Sequence, residues 1–287
     1  MTIADWLAAA EAALAAADGW RQPGLIDESP RREAQWLLRS LVGLSAAQIL
    51  SRPEQLLSTS QLAVLNTGLV RRCNGEPLAY VTGQAEFWSL PLRVTPATLI
   101  PRADTETLVE VVLTLFANDE RVLQAVDLGC GSGAIALALK HERQHWQLTA
   151  VDASAEALSI AAENAANLKL PLRCVQSDWF SALADQRFDV IVSNPPYLAA
   201  DDVHLPTLRF EPHTALVAEA NGLADYQRIV SQAPQYLNEK GWLLFEHGAN
   251  QADAVRELCQ QAGLINVQSW PDLAGQWRVS GGQQGVN

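Results

Sequence analysis

The chain has 287 residues, with 20 Lys and Arg against 32 Asp and Glu, a formal net charge of −12 and 48% hydrophobic residues. That composition suits a folded chain of about two domains and excludes a disordered segment or a small module that needs staples. The acidic balance excludes a whole-chain electrostatic grip on nucleic acid, which needs a basic face against phosphates. The four cysteines, Cys73, Cys130, Cys174 and Cys259, are far apart and make no CxxC or Cys/His pair, so neither a metal site nor a secreted disulfide framework is expected. The start of the chain carries no Lys or Arg, and Asp5, Glu11 and Asp18 interrupt its alanine-rich stretch, against a signal peptide. No apolar run reaches the ~18 residues of a membrane span, so the cytoplasm is the expected compartment, with no membrane partner.

In chain order, residues 6–17 are alanine-rich and favour helix. Between residues 31 and 43, Ala34, Leu37, Leu38, Leu41 and Val42 fall on one helical face, and Leu62, Leu65 and Leu69 repeat the pattern more weakly. Residues 1–75 thus read as a small helical bundle, ended by Asn74-Gly75-Glu76-Pro77. The β-prone pieces Tyr80-Val81-Thr82, Glu86-Phe87-Trp88 and Leu92-Arg93-Val94 make residues 76–101 a hairpin linker. From residue 102 to 287, strands and helices alternate. A helix capped by Asp104 or Thr105 runs to about Phe116, and strands are expected at 122–128, 147–151, 172–175, 188–192 and 242–246. That order predicts an α/β, mostly parallel, doubly wound sheet that binds its ligand at the strands' C-terminal ends. The last pieces, 265–270 and 276–280, are joined by a short turn and should pair antiparallel at the sheet's edge.

The loop Asp127-Leu128-Gly129-Cys130-Gly131-Ser132-Gly133 follows the first strand of this region and opens a helix. Glycines there allow a sharp turn and a close approach to a ligand, and the helix start offers free N–H groups. The spacing is GxGxG rather than the GxGxxG of dinucleotide sites, so both a dinucleotide and S-adenosylmethionine remain open. Asp152 ends the second strand, where a carboxylate accepts the two ribose hydroxyls of an adenosine; its other reading is a helix cap. Asp178 and Trp179 end the third strand as an acid for an adenine amino group and an indole for its face, or as ordinary packing. The fourth strand runs into Ser193-Asn194-Pro195-Pro196-Tyr197. Two prolines remove two donors and stiffen the turn, while Asn194 adds a side-chain carbonyl and Tyr197 an aromatic wall. The result suits a planar NH2 group bonded to Asn194 Oδ1 and the Pro195 carbonyl. Glu246, ending the fifth strand, is a further candidate to line the site, and the five histidines lack metal-ligand spacing.

Residues 129–133 with Asn194-Pro195-Pro196-Tyr197 resemble the class I S-adenosylmethionine-dependent methyltransferases, a Rossmann-like fold, that act on exocyclic or amide nitrogens. More narrowly, Ile100-Pro101-Arg102-Ala103-Asp104-Thr105-Glu106, Gly83-x-x-x-Phe87 and the run from Arg71-Arg72 to Tyr80 resemble the HemK/PrmC family over nearly the whole chain. Ala103 stands where that family often has a second proline. The resemblance implies methylation of the glutamine N5 in the Gly-Gly-Gln motif of peptide-chain release factors, which become the protein partners. It implies S-adenosylmethionine as cofactor, S-adenosylhomocysteine as product and no metal. Gly129, Cys130, Gly131, Ser132, Gly133, Asp152, Asp178, Trp179 and Asn194 would hold the cofactor. Asn194, Pro195 and Tyr197 would be catalytic and, with Pro196, would hold the substrate glutamine. The same turn serves adenine N6, cytosine N4 or guanine N2 in DNA or RNA. Against direct nucleic-acid binding stand the −12 charge, the N-terminal bundle suited to holding a protein, and Leu198-Ala199-Ala200-Asp201 where ribosomal-RNA guanine enzymes often place a histidine. A nucleotide-binding scaffold without activity is the non-enzymatic alternative, disfavoured by the intact turn. Gly281-Gly282-Gln283 repeats the substrate tripeptide and reads as a polar tail past the last strand, too short to reach the site.

Overall fold

The structure is a computed structural model that describes residues 1–17, 19–20 and 29–286. The chain divides into two compact units, Met1–Gln84 and Ala85–Asn287.

The first unit contains α1 (Ile3–Ala16), α2 (Pro30–Val42), α3 (Ala46–Ser51), α4 (Thr59–Cys73) and α5 (Leu78–Thr82). Reciprocal side-chain and backbone bonds cap α1 through Thr2 and Asp5, α3 through Ser45 and Gln48, and α4 through Ser58 and Gln61. Trp6, Leu7, Ala10, Leu14, Leu37, Leu38 and Leu65 form its core. A Cβ on Gly68 would stand 2.5 Å from the Leu41 side chain, so this glycine sets how closely α2 and α4 approach. Tyr80-Val81-Thr82, expected to be extended, lies in α5. Pro77 opens that turn, Gly83 closes it at φ 74°, and burial of Tyr80 and Val81 overrides their strand preference.

The second unit begins with the hairpin of β1 (Gln84–Phe87) and β2 (Leu90–Arg93), followed by α6 (Glu106–Leu115). A sheet then builds from β3 (Gln124–Leu128), β4 (Gln147–Asp152), β5 (Arg173–Gln176), β6 (Phe188–Ser193), β7 (Leu237–Glu246), β8 (Ile265–Pro271) and β9 (Trp277–Gln283). Helices α7 (Ala134–Glu142), α8 (Ala155–Leu168), α9 (Glu219–Gly222), α10 (Ala224–Tyr236) and α11 (Ala252–Gln261) connect most of these strands. The strand order is β5-β4-β3-β6-β7-β9-β8, parallel from β5 to β7, with β9 antiparallel to both its neighbours. The chain moves outward from β3 through β4 to β5 and returns with β6 on β3's other side. A crevice therefore opens between the C-terminal ends of β3 and β6. Apolar side chains on the two sheet faces form separate cores, one with Leu137, Leu148 and Val190, the other with Ile191, Tyr226 and Phe245.

Two expectations are corrected here. Thr105 is the N-cap residue of α6 but its side chain makes no cap bond: residues 103–105 form a 3-10 turn, and the Thr105 hydroxyl instead accepts from Asn194 at the site. Gly281-Gly282-Gln283 is not a tail. It continues β9, with Gly281 paired to Leu244 on one side and Gln268 on the other. A Cβ on Gly281 would lie 2.1 Å from the Leu243 carbonyl oxygen, so these glycines serve strand packing.

Candidate active site

The register of β3 and β6 pairs Leu128 with Ser193, so the glycine loop and the Asn-Pro-Pro-Tyr turn leave the sheet side by side. The Ser193 hydroxyl donates to the Leu128 carbonyl at 2.7 Å and ties the two strand ends together. Gly129, Gly131 and Gly133 have φ of 76°, 54° and 82°, which explains why each is glycine. Gly129 N and Cys130 N both donate to the Val151 carbonyl at 2.8 Å. Asn164 in α8 fixes the loop from behind, donating to the Ser132 carbonyl at 2.9 Å and to the Arg93 carbonyl at 3.0 Å.

Asp152 closes the loop's other side. Its Oδ2 accepts from Gly131 N and its Oδ1 from Ser154 N, both at 2.9 Å. The N-cap of α8 is Ser154, whose hydroxyl accepts from Ala157 N at 3.1 Å, so Asp152 does not cap that helix. A carboxylate offers about four acceptor positions, and two remain here for ribose hydroxyls. The Trp179 indole lies 3.4 Å from where a Gly129 Cβ would be, an ordinary contact, so it is the positive φ of 76° that favours glycine at 129. Asp178 forms an ion pair with Arg228 at 2.6 Å, and Arg228 also reaches Asp225 at 3.5 Å.

These residues border a cavity of about 630 Å³, within the roughly 300–1,000 Å³ of small-molecule sites. Gly129, Cys130, Gly131, Ser132, Asp152, Asp178, Trp179, Asn194 and Pro196 line it. Gly133, Pro195, Tyr197 and Glu246 do not. Gly133 packs on Ala161 at the start of α7, and Pro195 is buried under the turn. Tyr197 packs beside the core on that sheet face, where burial and the nearby Glu246 push its hydroxyl up to about 12. Its carbonyl accepts from Gln251 Nε2 at 3.1 Å, and a Cβ on Gly222 would press 2.1 Å from the same oxygen. The turn is therefore clamped from two sides.

Asn194 sits at the cavity's edge with its Nδ2 donating to Thr105 Oγ1 at 3.4 Å. Its Oδ1 accepts no hydrogen bond among the described residues, and neither does the Pro195 carbonyl. Glu246 is 1% exposed and lies behind Asn194 and Thr105 rather than on the cavity wall. Burial pushes its carboxyl up to about 7, against Thr105, Arg278 and Asn194, which pull it down. Asp127, beneath the glycine loop, is fully buried and also raised to about 7 by desolvation, with its Oδ2 accepting from Ala136 N at 3.2 Å. His247 is a core residue, its ring bonded to Ser280 Oγ at 2.7 Å and the Gly248 carbonyl at 2.8 Å.

Residues to which the sequence assigned no role in the site also line the cavity: Thr98, Leu99, Pro101 and Arg102, with Pro212 and Thr214. Glu211 holds the first of these segments, accepting from Ile100 N at 3.0 Å and pairing with Arg102. The Pro-Arg sequence at 101–102 signalled a fixed segment. Nothing in the 211–215 stretch signals a wall, because its place depends on a contact over 100 residues away in the chain.

A family model for the methyltransferase small domain matches residues 103–262, and one for the PrmC N-terminal domain matches residues 5–83. Among solved structures, the T. thermophilus 16S rRNA N2 G1207 methyltransferase, in complex with AdoMet and guanosine, has a TM-score of 0.54 at 18% identity. The match covers 70% of this chain and 49% of that one, and it is a likeness of fold. The sheet and its glycine loop are thus those of a class I methyltransferase. Among curated proteins, the chain is 47% identical over 259 residues to the release factor glutamine methyltransferase of Salmonella typhimurium, covering 89% of this chain and 93% of that one. It is 46% identical over 278 residues to that of Vibrio cholerae, covering 95% and 96%. The chain belongs to the release factor glutamine methyltransferase family. The site's donor set fits S-adenosylmethionine: a glycine cradle that a Cβ would fill, a carboxylate with spare acceptor positions, and an indole over the loop.

Proposed function

We propose that the protein transfers a methyl group from S-adenosylmethionine to the side-chain amide nitrogen, N5, of the glutamine in the Gly-Gly-Gln motif of peptide-chain release factors, leaving S-adenosylhomocysteine. The observation that carries this reading is Asn194, fixed at the cavity edge through its Nδ2 with Oδ1 unengaged, one residue from the free Pro195 carbonyl. When bound, S-adenosylmethionine supplies a methyl group activated by its sulfonium charge. Residues 129–132 and Asp152 would hold it, Asp152 through acceptor positions suited to the ribose hydroxyls, while Asp178 and Trp179 would meet the adenine.

An amide nitrogen is a poor nucleophile because its lone pair is shared with its carbonyl. Two acceptors, Asn194 Oδ1 and the Pro195 carbonyl, hold both N–H bonds and favour the pyramidal geometry that frees the lone pair. Positioning of this kind lowers a barrier by several kcal/mol. No general base is needed, since the nitrogen becomes strongly acidic once methylated and then sheds its proton to solvent. Tyr197, held neutral by burial and packed against the core, stiffens the turn from outside the cavity. The helical N-terminal region, residues 1–75, supplies release-factor recognition, residues 76–101 link it, and residues 102–287 carry the chemistry. Cytoplasmic location follows from that substrate.

The test is incubation with S-adenosylmethionine and an unmodified release factor, followed by fragment mass spectrometry. A single added methyl on the glutamine of Gly-Gly-Gln is expected. Methyl transfer to duplex DNA or ribosomal RNA instead would overturn the reading.

A further inference from the structure

Glu246 is buried where neither cofactor nor substrate contact accounts for it. In β7 it follows Phe245, which pairs with Ser193 of β6, so Glu246 and Asn194 leave neighbouring strands together. Its Oε2 has no hydrogen-bond partner among the described residues. A buried polar atom left without a partner is costly and calls for an explanation. Its carboxyl faces the Thr105 hydroxyl and the Asn194 amide, and Asn194 Nδ2 also donates to Thr105 Oγ1.

An asparagine amide has two ends of nearly equal shape and opposite polarity. Only with Oδ1 outward does Asn194 accept from a substrate NH2. With the amide flipped, its NH2 would meet the substrate's NH2, and Oδ1 would be driven against the Glu246 carboxylate. We propose that Glu246 is a positioning residue that, together with Thr105, locks the Asn194 amide with its NH2 inward and its Oδ1 toward the substrate. This rests on the amide-methylation reading above.

The lock depends on charge. An ionised carboxylate can only accept and so excludes the flipped amide, whereas the protonated acid has an O–H that donates to Oδ1 and tolerates it. Burial places the changeover at about 7. Arg278 from β9 favours the anion, while Asp104, which pairs with Arg278 at 3.1 Å, opposes it. Tyr197 and Tyr226 also face Glu246, and both stay neutral because burial raises them. Turnover therefore rises with pH through the titration of Glu246.

The experiment measures turnover of an unmodified release factor by wild type, Glu246→Gln, Glu246→Leu and Thr105→Val between about pH 6 and 9, with calorimetric binding of S-adenosylmethionine. Glu246→Leu lowers kcat about tenfold or more, the scale of losing one oriented polar group, and leaves cofactor affinity within about twofold. Glu246→Gln, whose NH2 donates to Oδ1 as the protonated acid does, holds kcat near the wild type's low-pH level and lacks the wild-type rise of kcat through about pH 7. Wild-type kcat in Glu246→Leu, or a wild-type pH profile in Glu246→Gln, overturns the proposal. If Glu246→Leu does not fold, the pH profile of Glu246→Gln and a lowered kcat in Thr105→Val decide alone. A wild type that leaves the release factor unmethylated while binding the cofactor would instead defeat the amide-methylation reading itself.

Discussion

Asn194 and Asp152 divide the work at the residue scale, and their alanine variants separate it. Asn194→Ala removes the side-chain acceptor and should lower turnover about a hundredfold to a thousandfold, with cofactor affinity little changed. Asp152→Ala should instead weaken cofactor binding by about 1–3 kcal/mol through loss of charge-assisted bonds. Calorimetry and turnover on both proteins check this, and a reversed pattern would show that the roles are exchanged. Asp127 makes a different statement. Its folded carboxyl titrates at about 7 because it is desolvated, against an ordinary value of 3.8. The folded state thus keeps a proton that the unfolded state releases, so stability present below the unfolded value is lost as pH rises toward the folded one. Melting temperature should fall between about pH 4 and 7, and the fall should be shallower in Asp127→Asn. An unchanged slope would mean that Asp127 is ionised in the folded protein.

At the scale of elements, β9 reverses an expectation drawn from the tripeptide Gly281-Gly282-Gln283. The tripeptide has the chemistry of a substrate but lies inside a strand paired on both sides, with Gly281 and Gly282 buried. Gln283 Nε2 donates to the Lys240 carbonyl at 3.0 Å and its Oε1 accepts from Asn266 at 2.8 Å, so the amide is already engaged. Long incubation with cofactor alone should leave Gln283 unmethylated by peptide mass spectrometry. A high yield of methyl there would require β9 to detach from β7 and β8. The α6 start teaches a related lesson. Thr105 has the residue type of a cap, yet its hydroxyl is drawn to Asn194, 89 positions along the chain. Propensity rules read the local partner and miss the distant one.

For the whole molecule, the two compact units, Met1–Gln84 and Ala85–Asn287, have separate hydrophobic cores. The glycine loop, Asp152 and the Asn194 turn all belong to the second, as does every residue lining the cavity. Removal of residues 1–84 should therefore preserve cofactor binding and abolish most release-factor affinity. Titration of the truncated protein with each ligand, after circular dichroism confirms folding, checks this. Unchanged release-factor affinity would reduce the helical unit to a stabilising element.

The sequence alone determined the helical bundle, the alternating sheet, the glycine loop at 129–133 and the acceptor turn at 194–197. All are local signals: a 3.6-residue stripe at Ala34, Leu37 and Leu38, a 2-residue glycine spacing, and two prolines after a strand. It also carried the family, because motifs such as residues 100–106 survive as short strings. Only tertiary structure decided that Tyr80-Val81-Thr82 is helical, that Gly-Gly-Gln is a packed strand, and that Glu246 stands behind Asn194 rather than on the cavity wall. Only it brought Glu211 to the Ile100 backbone, which fixes a segment that lines the cavity. Each of these depends on contacts between residues far apart in the chain, where burial and hydrogen-bond satisfaction outweigh the preference of any single residue.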